Sequence, residues 1–72
     1  MGVNTMSEEK KEQFSIKALR VDRGYTQEAL ATVLGVSKKT MNDLENNKIE
    51  VKQLHIFALA YILRVDSDVI RV

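Results

Sequence analysis

"VLGVSKK", residues 33–39, interrupts a stretch that otherwise reads as helix on both sides. Gly35 can take the left-handed conformation that ends one helix and Ser37 can cap the next, so only Gly35-Val36-Ser37 separates them. Two helices joined by so short a turn cannot lie antiparallel. They cross steeply, and close approach then needs a small residue on the first, here Ala31. Leu30, Leu34, Val36, Met41 and Leu44 supply a shared core. Lys38 and Lys39 fall in the first turn of the second helix, where the macrodipole disfavours positive charge. Their placement calls for a reason outside the helix itself.

The start signal at Val36-Ser37 recurs on both sides of it. Thr26 can cap QEALATVL while Tyr25 packs on Leu30 as a hydrophobic staple, and Asp66 can cap SDVIRV while Val65 packs on Ile70. Gly24 lies just past the first helix, as Gly35 lies just past the second. With no Pro, and with apolar residues repeating at i, i+3 and i+4, the pattern predicts an all-α bundle of about five short helices. They fall at about 8–23, 27–34, 38–46, 52–63 and 67–71. Ser7 and Ser15 both qualify as the first cap, so residues 1–13 are read as a polar N-terminal arm or frayed helix start and residues 14–72 as the folded domain.

The chain has 72 residues, which makes one small domain with a limited core. It has no Cys and one His, His55, so neither a disulfide framework nor a zinc site is expected. No nucleophile motif, second His or paired-carboxylate pocket accompanies His55, and the expectation is a non-enzyme without cofactor, metal or small-molecule ligand. No apolar run is long enough to span a membrane, and a cytoplasmic location is expected. The formal net charge is only +1, so any nucleic-acid footprint must be local.

Several spacings act together around the interrupted helix. Leu19-Arg20 precedes the motif, Gly24-Tyr25-Thr26-Gln27 and Leu30-Ala31 lead into it, Leu34-Gly35-Val36-Ser37 forms the turn, and Leu44-Glu45 follows. This series resembles the helix-turn-helix family of Cro and lambda repressor over about residues 16–70. The resemblance implies that the second helix enters the DNA major groove. Asn47, Val51 and Arg64 depart from it, standing where the family often has Gly, Pro and Gly.

Helical angles place Met41 and Leu44 on the buried stripe of helix 38–46 and turn Lys39, Asn42, Asp43 and Asn46 outward. With the resemblance, Ser37, Lys38, Lys39, Asn42, Asp43 and Asn46 become candidates to contact DNA, Asn42 by pairing with adenine. Gln27, at the start of the preceding helix, and Lys48, just past the recognition helix, are candidate phosphate contacts. Arg20 and Glu45 lie 40° from Ile16 and Met41 on the apolar stripes of their helices, at about 100° per residue. Charges turned toward a core are rarely left unpaired, so they are expected to form a structural salt bridge, as the resemblance also implies.

"IFALAYIL", residues 56–63, is apolar all the way round, which is more apolar surface than one small core needs. A homodimer is expected, with Phe14, Tyr61, Ile62, Val69 and Val72 as interface residues. The leading function is a small transcriptional regulator resembling Cro-type switch proteins, with operator DNA as its partner. The alternative is a protein-binding modulator, an anti-repressor or antitoxin, that docks the same scaffold on a partner repressor. Asp43 motivates that alternative, because a carboxylate on the reading face repels phosphates and suits a basic surface.

Overall fold

The computed structural model describes residues 12–72. It contains a strand β1 (Phe14–Ser15), four helices α1 (Ile16–Asp22), α2 (Gln27–Leu34), α3 (Lys38–Glu45) and α4 (Gln53–Leu63), a 3-10 turn (Ser67–Val69) and a strand β2 (Ile70–Arg71).

Thr26 and Ser37 cap their helices as the sequence anticipates, and Ser15, one of two candidates, caps the first. The hydroxyls of Ser15, Thr26 and Ser37 accept from the backbone N–H groups of Ala18, Ala29 and Thr40, each at 3.0 Å. Each cap satisfies one donor that the first turn leaves orphaned, worth about 1 kcal/mol. The fourth start has another device. Lys52 has no capping side chain, and its backbone N–H instead donates to Nδ1 of His55 at 3.3 Å.

All four helices end in one way. The residue after each last turn has positive φ, at Gly24 (82°), Gly35 (88°), Asn47 (58°) and Arg64 (60°). The following N–H reaches back to the carbonyl five residues earlier: Tyr25 to Arg20, Val36 to Ala31, Lys48 to Asp43 and Val65 to Ala60, at 2.9–3.0 Å. This is the Schellman arrangement, which satisfies carbonyls the helix cannot. A Cβ at Gly35 would meet nothing within 4 Å, so glycine is favoured there by its φ and not by crowding.

Two expectations need correction. Among the described residues four α-helices form where five were expected along the chain: the last segment, expected as helix 67–71, makes one 3-10 turn and then pairs as β2. The first helix was expected from about residue 8, but within the described residues it starts at Ile16 with Ser15 as its cap, because Phe14 and Ser15 are drawn into β1. The strands pair in parallel, Phe14 with Ile70 and Ser15 with Arg71, and Gln13 Nε2 donates to the Asp68 carbonyl at 3.0 Å. Nothing local announces such a pairing, since its partners stand at opposite ends of the chain. Residues 1–11, most of the expected arm, lie outside the described residues.

The core is Ile16, Leu19, Leu30, Ala31, Met41, Leu44, Leu59, Ala60, Leu63 and Ile70. Tyr25, Val36 and Val65, the staple residues, pack on it half-buried. Helix α4 is covered on one side only: Leu59 and Leu63 are fully buried, whereas Leu54, Phe57 and Tyr61 are exposed. No helix among the described residues is long and apolar enough to cross a membrane.

Candidate nucleic-acid interface

Helix α3 is positioned from behind by its apolar stripe and from one end by an ion pair. Met41 and Leu44 are 0% and 1% exposed, which locks the rotation of α3 against α2. Beside them the Glu45 carboxylate, 2% exposed, accepts from Arg20 Nε at 2.6 Å and from Nη2 at 3.3 Å. Arg20 Nη1 donates to the Tyr25 carbonyl at 3.0 Å, so one guanidinium ties α1, the turn before α2 and the end of α3. Gln27 Nε2 also donates to Glu45 Oε1, at 3.1 Å. The first residue of α2 and the last of α3 are thereby held to one buried carboxylate. No polar side-chain atom buried among the described residues lacks a partner.

The opposite face of α3 is open and internally ordered. Lys38, Lys39, Asn42 and Asn46 are exposed and Asp43 is half-buried. Lys39 Nζ lies 3.0 Å from Asp43 Oδ2, with the lysine side chain 85% exposed and the carboxylate 17%. One turn further on, Asn46 Nδ2 donates to Asn42 Oδ1 at 3.1 Å, aligning two amides along the helix. Ser37 spends its hydroxyl on the cap and on Thr40 Oγ1, to which it donates at 2.9 Å. Lys38 and Lys48 make no ion pair among the described residues and stand at the two ends of α3. The face thus brings together Lys38, Lys39, Asn42, Asp43 and Asn46, while Gln27 is turned partly inward to Glu45.

Sequence reasoning missed Arg23. Its Nε donates to the Leu63 carbonyl at the end of α4 at 2.7 Å, and its Nη1 pairs with Asp22 at 2.6 Å. A cation after a helix, placed to meet the carboxyl end of another, is a signal only once the two helices are known to meet.

Residues 16–70 match the family model described as helix-turn-helix. The chain belongs to the helix-turn-helix family of Cro and lambda-repressor type. This is a family of DNA-binding regulators, and in this helix-turn-helix protein α2 and α3 form the motif, with α3 as the helix whose outer face is free. No curated protein and no solved structure matches the chain.

Proposed function

We propose that this protein is a Cro-like switch regulator that acts in the cytoplasm and inserts α3 into the major groove of operator DNA. The observation that carries the reading is the outward face of α3: Lys38, Lys39, Asn42 and Asn46 are exposed while the core uses only Met41 and Leu44. Amides and cations of this kind read base edges and phosphates. Gln27 and Lys48, at the rims of the motif, are its phosphate contacts. Two copies bind together, so that two α3 helices reach half-sites roughly 34 Å apart. Phe14 and Val69 line one groove and Tyr61 and Ile62 the next, and Val65 and Asp66 border both, which supports one continuous surface for the second copy. Val72 lines a separate cleft beside α3.

The alternative, docking on a partner repressor, depends on Asp43 as an available carboxylate. Its pairing with Lys39 lends that reading less support. A gel shift against DNA flanking the gene tests the proposal. Specific, salt-sensitive binding that weakens in Lys39→Ala and persists or strengthens in Asp43→Asn is expected. A stable protein complex lost with Asp43→Asn, and no duplex bound, would overturn it.

A further inference from the structure

Arg71 closes the terminal ladder, where its backbone pairs with Ser15. Its side chain is exposed and, among the described residues, joins no ion pair. It lines a cleft of about 130 Å³ together with Ser15, Leu44, Glu45 and Asn47, so the ladder delivers this cation to the carboxyl end of α3. Lys48 follows Asn47 directly, in the Schellman turn that ends the same helix. Lys38 stands at the other end.

We propose that Arg71 is a DNA-backbone contact lying outside the helix-turn-helix, which joins Lys48 at the carboxyl end of α3. The inference rests on the DNA-binding reading above. It assigns the β1–β2 ladder a part in binding, because the ladder holds the Arg71 backbone beside α3. A guanidinium there neutralises one phosphate irrespective of base sequence, so it adds affinity and salt dependence without adding discrimination.

The test measures affinity against salt for duplex DNA flanking the gene and for a scrambled duplex of equal length, with wild type, Arg71→Gln, Arg71→Lys and Lys17→Gln. Lys17 is the control, an exposed cation on α1 that lines neither the cleft beside α3 nor the two grooves assigned to the second copy. Arg71→Gln should lower the slope of log affinity against log salt by about 0.9, so that its deficit relative to wild type shrinks roughly 3.5-fold between 50 and 200 mM salt. The loss should be equal on both duplexes. Arg71→Lys should keep the slope, and Lys17→Gln should leave it unchanged. Wild-type binding with an unaltered slope in Arg71→Gln would overturn the inference alone, as would an equal loss in Lys17→Gln, which would mark a net-charge effect. Failure of wild type to bind any duplex would overturn the DNA reading itself and the inference with it.

Discussion

Asn47 and Arg64 sit in left-handed backbone at φ of 58° and 60°, where a side chain costs about 1–2 kcal/mol and glycine costs nothing sterically. Asn tolerates the region by local hydrogen bonding, but Arg has no such compensation. Arg64→Gly should therefore stabilise the domain by about 0.5–1 kcal/mol after the greater unfolded-state entropy of glycine is subtracted. In a domain of this size that raises Tm by roughly 2–8 °C, which a thermal melt reads directly. Arg20→Ala and Glu45→Ala should act in the opposite sense. Each strands a charge beside a carboxylate site only 2% exposed, at a cost of about 3–5 kcal/mol, and denaturant titration would show both midpoints falling together. Melting like wild type would mean that the pair contributes nothing. At this scale the glycine ends and hydroxyl caps were legible because each carries its own backbone preference. Asn47 and Arg64 were flagged only through the resemblance, which often has Gly at both, since nothing in either residue type demands positive φ and the surrounding turn imposes it. The helix-capping use of His55 was hidden, because a nitrogen acceptor at that position is a rare substitute for the usual Glu or Gln.

Between elements, the crossing of α2 on α3 depends on Ala31, which is 2% exposed. Ala31→Leu adds volume at a buried core position of α2, and it should destabilise by about 1–3 kcal/mol. An unchanged urea midpoint would show that the crossing has room to spare. This element pair was the most legible part of the fold, since Gly35, Ser37 and the short gap between them specify the turn without help from the rest of the chain. The outward face of α3 was legible for the same reason: once Met41 and Leu44 are buried, helical periodicity decides where Lys39, Asn42 and Asn46 point. The pairing of Asn46 with Asn42 follows from their spacing. By contrast, residues 67–71 looked like a short helix because Asp66 can cap one while Val65 packs on Ile70, whereas pairing of Ile70 with Phe14 draws the chain into a strand after a single 3-10 turn.

For the whole molecule, the apolar residues left outside the core are what support the proposed assembly. Tyr61 is 86% exposed, Leu54 79% and Phe57 52%, more than a solitary domain would choose to wet. Sedimentation at rising concentration should show a weak homodimer, and Tyr61→Glu should shift it to monomer with little change in fold. A monomer at every concentration would remove that surface from the argument. Ile70, 4% exposed, ties the last residues to the core. Ile70→Ala should cost about 2–5 kcal/mol, and hydrogen exchange should then quicken at both Ser15 and Arg71, since one ladder protects both ends. Its parallel direction has a mechanical consequence. A pull applied to the two ends of the chain drags β1 one way and β2 the other along their own axes, so their hydrogen bonds resist in shear and must yield together. Antiparallel terminal strands would peel apart one bond after another. Tethered at its ends, the domain therefore holds its helices behind a small shear clamp until that clamp gives way.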